Sequence, residues 1–198
     1  MSSLLANVGH THEASAAQSN PAKHSTWTIA FHWSSVLAIV LATATILLRE
    51  QVEASAIRGA LLEIHSQAGL FVLLALVLRL AVRFTVGMAD HAGDMPAIMR
   101  VAALLAHVAL YVMLCALPVL GWAVTNAHGV QVKLMGVIQL PMLVAADSDL
   151  ADTLTDYHSW AAWAMLALVV AHVAAALFHH FVRRDGVLTA MLPTRQSN

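Results

Sequence analysis

Four long apolar runs, near residues 29–48, 64–84, 101–125 and 157–182, leave this chain few ways to fold. Each approaches or exceeds the ~20 residues that a helix needs to cross the hydrocarbon core of a bilayer. Lipid offers backbone N–H and C=O groups no hydrogen bonds, so a spanning segment must satisfy them within itself, and a helix does. The chain has 198 residues, 60% hydrophobic and 11% charged; a soluble domain carries roughly 25% charged residues. The expected fold is all-α: a transmembrane four-helix bundle running up-down-up-down.

Charge placement orients that bundle. Lys23, Arg83, Arg100, Arg183, Arg184 and Arg195 flank one side, with Arg79 inside the second run near it; Arg49, Arg58 and Lys133 flank the other. Basic residues favour the cytoplasmic face, which puts both termini in the cytoplasm and the connections 49–63 and 126–156 outside. The second connection carries Asp147, Asp149, Asp152 and Asp156 against Lys133. Its apolar middle, 134–144, is expected to lie on the membrane or fold back over the bundle. Residues 1–22, with His10, His12 and several serines, lack a basic start followed by an apolar core, so they read as a disordered cytoplasmic tail rather than a signal peptide. The expected organisation is therefore a tail at 1–22, one membrane domain over 23–193 and a short tail at 194–198. The net charge of −1 gives no footprint for nucleic acid. A single cysteine, Cys115, excludes an intramolecular disulfide and a cysteine-ligated iron–sulfur cluster.

Histidine is the unusual enrichment, at 12 residues. His158 and His172 lie fourteen residues apart, nearly four helical turns, so they share a face about 21 Å apart along one helix. His32 opens the first run at its cytoplasmic end, and His65 opens the second at its outer end. Run direction then puts His65 and His158 at an outer level and His32 and His172 at an inner one. Imidazole inside a membrane is costly and usually marks function, and it is a good axial ligand for heme iron. Two level pairs drawn from different helices suit two stacked metal cofactors better than four isolated interhelical hydrogen bonds.

Neighbouring residues fit that arrangement. Gly69 follows His65 by four, Ala162 follows His158 by four, and Ala175 and Ala176 follow His172 by three and four; all fall on the ligand face and leave room for a flat ring. Arg79, fourteen after His65, points from the same face at the inner level, where it can pair with a carboxylate or a quinone carbonyl, or else snorkel beside Arg83. His107 begins the third run, where it can hydrogen-bond a propionate, line a quinone pocket or sit at the interface. His179 and His180 are assigned interface roles, and His91 and His128 are assigned to solvated loops. Trp27, Trp33, Trp122, Trp160 and Trp163 fall near run ends, as interfacial tryptophans do. Pro118 is expected to kink the third run, with Gly121 just beyond it.

Several of these stretches together resemble the prokaryotic cytochrome b561 family. They are Phe31-His32-Trp33, His65-Ser-Gln-Ala-Gly69, Leu78-Arg79-Leu80-Ala-Val-Arg83, Ala106-His107-Val-Ala-Leu-Tyr111, Ala116-Leu-Pro118-Val-Leu-Gly121-Trp122, and the run from His158 through His172 and His179-His180 to Asp185-Gly186 and Met191-Leu-Pro193. The resemblance spans residues 24–193. It implies a four-helix protein of the bacterial inner (plasma) membrane with two b-type hemes, His32 with His172 binding the inner one and His65 with His158 the outer one. It further implies electron transfer between a periplasmic donor and membrane ubiquinone. One branch of the family oxidises superoxide. The acidic outer connection here departs from what an anionic substrate would favour, and suits a cationic donor such as a basic c-type cytochrome. Two other readings share the histidines: the cytochrome b subunit of a larger hydrogenase or dehydrogenase complex, and a histidine-lined proton or metal-ion transporter. Oligomeric state is left open by the sequence.

Overall fold

The computed structural model describes residues 25–86 and 96–192. Four helices, each long and apolar enough to cross a membrane, make up most of it. They are α1 (Thr26–Glu50), α2 (Ser55–Val86), α3 (Ala97–Ala127) and α4 (Ser148–Phe178). Helix α1 packs along α2, α2 along α3, and α3 along α4. Expectations for His10, His12, Lys23, His91, Arg195, the side chain of Arg83, and the tails at 1–22 and 194–198 lie outside the described residues.

Local chemistry explains where the helices begin. The Ser25 hydroxyl accepts from the Thr28 N–H at 3.2 Å, capping α1. The Asp147 carboxylate accepts from the Leu150 N–H at 3.0 Å, capping α4, and Asp149 in its first turn suits the positive end of the helix dipole. These signals start α4 nine residues before the apolar run at 157, and α2 starts nine before the run at 64. Hydropathy marks the part of a helix that lies in lipid and misses polar turns that continue beyond it. Asp149, Asp152 and Asp156 therefore stand on the opening turns of α4 and not in a loop. The α1–α2 connection shrinks to residues 51–54, and Arg58 Nη1 donates to the Arg49 and Val52 carbonyls at 3.1 and 3.2 Å, closing the end of α1. Pro118 is accommodated inside α3.

The segment expected to lie flat or fold back forms a two-stranded hairpin, β1 (Lys133–Leu134) with β2 (Ile138–Gln139). Val137 N–H donates to the Leu134 carbonyl at 3.1 Å across a tight turn. Both central residues have positive φ, Met135 at 52° and Gly136 at 73°, as hairpin turns that match strand twist require. Gln67 of α2 pins the hairpin: its Nε2 donates to the Lys133 carbonyl at 2.7 Å, and its Oε1 accepts from Met135 N–H at 2.9 Å. Asn126 anchors the base. Fully buried, it donates from Nδ2 to the Val130 carbonyl at 3.0 Å and accepts from Leu143 N–H at 2.9 Å.

At the other end, α4 passes into a π-helical turn (His179–Arg183) that stops at Arg184 in the left-handed conformation. Asp185 then turns back. Its carboxylate accepts from His179 Nδ1 at 2.5 Å and from the Val187 N–H at 3.3 Å, and it sits 3.6 Å from Arg183 Nε. The segment continues to α1, where Trp33 Nε1 donates to the Met191 carbonyl at 2.8 Å. Partial burial pushes the Asp185 carboxyl up, but the His179 and Val187 hydrogen bonds and the nearby Arg183 charge outweigh it and hold the group below the ordinary carboxylate range.

The helices share a seven-residue register. On α2 it runs His65, Val72, Arg79; on α3, His107, Leu114, Gly121; on α4, His158, Met165, His172. Val72, Leu114 and Met165 join Ala38 of α1 and Leu76 of α2 in the buried apolar core. That core forms a waist between two polar layers, each two turns or about 10 Å from it.

Two outcomes follow. Asn126→Ala strands the Val130 carbonyl and Leu143 N–H and should cost about 1–3 kcal/mol, read as a lower melting temperature in detergent and new protease cleavage within residues 129–146. The Asp185 clasp contributes stability that is present above about pH 4 and is lost as acid titrates the carboxylate at its lowered value. Hydrogen exchange at the Val187 amide should thus stay slow from neutral pH to about 4 and rise below it, while Asp185→Asn abolishes the transition.

Candidate functional site

Each polar layer draws on all four helices. In the first, His32 of α1 and His172 of α4 face each other with ring centres 6.5 Å apart. His107 of α3 approaches His172 from another side, with ring centres 5.5 Å apart. Arg79 of α2 brings Nη1 to 3.5 Å from His32 Nδ1, and its guanidinium lies 5.6 Å from the centre of the Tyr111 ring. The Arg79 Nε–H is buried without an acceptor. Trp33, which holds the C-terminal segment, lies edge-on to His32 with ring centres 5.6 Å apart.

In the second layer, His65 of α2 and His158 of α4 have ring centres 6.0 Å apart. His65 Nδ1 lies 2.9 Å from the Ala42 carbonyl of α1. A carbonyl only accepts, so Nδ1 carries the proton and Nε2 keeps its lone pair. Helix α3 contributes Gly121, where a Cβ would come 3.2 Å from His158 Cε1 and 3.6 Å from Nδ1. Glycine thus admits the imidazole at a place where any side chain would press on the ring. His158 Nδ1 is buried with no hydrogen-bond partner, although the Leu117 carbonyl lies close to the ring.

The four histidines singled out by spacing are thus brought together in two pairs, and Arg79 stands beside the first. His107 is exposed and lies against His172. Its Nδ1 donates to its own helix at the Ala103 carbonyl, 2.6 Å away, leaving Nε2 as an acceptor. His179 is taken up by Asp185, and His128 caps the end of α3. Beside His65, a Cβ on Gly69 would meet nothing within 4 Å, so that flank is open. Ala162 and Ala175 are exposed and Ala176 is half-buried. The contact of Gly121 with His158 was not foreseen; its signal is the seven-residue register His107–Leu114–Gly121 matching that of α4.

The chemistry of these pairs is specific. Among the described residues no three His, Cys, Asp or Glu side chains converge to hold a metal ion by themselves. Two imidazoles that ligate one first-row metal from opposite sides, with bonds of about 2 Å, have ring centres about 6 Å apart. Both pairs match that separation. The buried, partnerless His158 Nδ1 and the ring-hugging Gly121 show a layer shaped around its imidazole. A planar macrocycle supplying four equatorial nitrogens would complete either pair, so the residues present fit a bis-histidine heme.

Comparison with known proteins agrees. The family model described as prokaryotic cytochrome b561 matches residues 23–194. "Cytochrome b561 homolog 2" of Escherichia coli (strain K12) is 31% identical over 139 residues, 69% of this chain and 72% of the relative. "Cytochrome b561 homolog 1" of the same organism is 30% identical over 171 residues, 85% of this chain and 96% of the relative. The "Probable superoxide oxidase CybB" of Yersinia pestis is 28% identical over 174 residues, 88% of this chain and 98% of the relative. With a bundle of membrane-length helices, two facing histidine pairs and a family match across nearly its whole length, the chain belongs to the prokaryotic cytochrome b561 family.

Proposed function

We propose that this protein is a di-heme b-type cytochrome of the bacterial inner (plasma) membrane that passes electrons between a periplasmic donor and the ubiquinone pool. The observation that carries the reading is the pair of imidazole–imidazole separations, 6.5 and 6.0 Å, at two levels of one membrane bundle. His32 and His172 would hold one heme b, and His65 and His158 the other. Hemes held in this way would supply one-electron chemistry. The span over residues 23–193 forms one membrane domain. Contacts of Arg79, late in α2, with His32, early in α1, support the up-down order, and the basic residues on the Arg79 side support cytoplasmic termini.

The residues around the pairs have distinct work. The Ala42 carbonyl fixes the His65 tautomer and turns Nε2 inward, and a hydrogen bond of this kind raises ligand basicity. Arg79 sets a positive charge beside the first pair, where it would bind a propionate and favour the reduced state of a heme held there. His107 Nε2, an acceptor beside that pair, would suit proton exchange with a quinone bound at the cytoplasmic end. The apolar waist of Ala38, Val72, Leu114 and Met165 excludes water between the levels, so charge crosses it as electrons and not as ions.

The donor is read from charge. Residues 49–63 and 126–156 hold seven carboxylates (Glu50, Glu53, Glu63, Asp147, Asp149, Asp152 and Asp156) against Arg49, Arg58 and Lys133. This favours a cationic redox protein, such as a basic c-type cytochrome. Superoxide is the second reading, because a relative is named a probable superoxide oxidase; the excess of negative charge opposes capture of an anion.

The test is a reduced-minus-oxidised spectrum with heme quantitation. The purified protein should hold two hemes, and His32→Ala and His172→Ala should lose one of them while His65→Ala and His158→Ala lose the other. A colourless protein, or one with unchanged pigment in these variants, overturns the reading. Gly121→Val should disturb the spectrum of the His65–His158 heme alone, because its side chain meets the His158 ring. Reduction by a basic donor should slow by about tenfold between low and high salt; a rate indifferent to salt rules that donor class out.

A further inference from the structure

The seven-residue register continues beyond the second histidine level. On α1 it runs Ser35, Ala42, Arg49, and Ala42 carries the carbonyl that holds His65. Arg49 therefore stands on the same face of α1, one layer or about 10 Å past the His65–His158 level. On α2, Arg58 precedes His65 by seven residues and falls in the same layer, where its Nη1 donates to the Arg49 carbonyl at 3.1 Å. The Arg58 guanidinium thus meets the backbone of Arg49 in that layer.

Their hydrogen bonding differs. Arg58 closes the end of α1 through two backbone carbonyls. The Arg49 Nε–H is buried and has no acceptor. A buried, charged donor left unpaired costs several times an ordinary hydrogen bond, so such an atom points to an acceptor that belongs there. Among the described residues, Arg79 is the other arginine with an orphaned Nε, and it stands beside the other histidine pair. One guanidinium with an orphaned Nε thus accompanies each pair of imidazoles.

We propose that Arg49 binds a carboxylate of the cofactor held by His65 and His158, taking a heme propionate on its buried Nε–H. The proposal rests on the reading that each histidine pair holds a heme. Heme b carries both propionates on one edge of a flat ring. Imidazoles that enter from α2 and α4 at one height leave the ring lying along the helices, so an edge can reach the next layer. A guanidinium matches a carboxylate in geometry and charge, and a fixed positive charge there stabilises the ferrous state. The rival acceptor with the same chemistry is a phospholipid phosphate at the membrane surface.

The experiment is a potentiometric titration of the full-length protein, following both hemes optically, for the wild type, Arg49→Gln, Arg79→Gln and Arg49→Lys. Wild type should titrate in two steps. Arg49→Gln should keep both hemes and lower one midpoint potential, Arg79→Gln should lower the other, and Arg49→Lys should restore most of the first shift. If Arg49→Gln moves neither potential, or moves the same one as Arg79→Gln, the proposal fails while two-step titration still supports the di-heme reading. Unchanged potentials with an altered melting temperature across vesicles of different headgroup identify the phosphate instead. If Arg49→Gln does not assemble, the propionate bending mode in the resonance Raman spectrum of Arg49→Lys carries the test: a shifted band supports the contact and an unshifted one overturns it. A wild type without heme defeats the functional reading itself.

Discussion

Lipid gives polar side chains nothing to bond with, and the interior of this protein is organised around that demand. Imidazole and guanidinium groups in the spans must find partners within the bundle. Several do: His65 with the Ala42 carbonyl, His107 with the Ala103 carbonyl, Arg79 with His32 and Tyr111. Among the described residues, the buried atoms left without a partner are His158 Nδ1, Arg79 Nε and Arg49 Nε, and they lie within the two histidine layers or next to one of them. The unmet valences of the bundle therefore outline the groups it is built to hold.

The two layers share a plan and differ in detail. Each uses at least one side chain or backbone group from every helix, and each is one heptad from the same apolar waist. The Arg79 layer is crowded and cationic, with a third imidazole from His107 and an aromatic face from Tyr111. The Gly121 layer is sparse, with a glycine against one ring and a carbonyl on the other. Fixed charge raises the affinity of a metal centre for electrons, and backbone hydrogen bonds to an imidazole lower it. The two layers thus offer their imidazoles different electrostatic surroundings.

Much of this arrangement was legible in the sequence. Fourteen-residue spacing on one run, and histidines opening two others, fix both face and depth once the runs are helices. The family match then followed from the same residues. Helix ends were less legible, since hydropathy sees only the lipid-facing length; Asp147 and the acidic turn after it mark the true start of α4. The rotation of α3 was hidden too, because that helix is apolar around much of its circumference, with Val101, Leu104, Leu105 and Val108 exposed. A helix without a polar face gives no periodic signal for which side turns inward, so Gly121 read as a companion of Pro118 and not as the wall behind His158. The roles of Gln67 and Asn126 depend on a hairpin whose residues are far from them in sequence.

Helix α4 supplies one member of both histidine pairs, and of the four described helices it is the last to be synthesised. Neither pair can close while the earlier three helices wait alone in the bilayer. Formation of the two layers is consequently coupled: both histidine pairs become complete in one event, when α4 joins the other three helices. A nascent chain stalled before residue 148 would carry His32 and His65 but neither His172 nor His158.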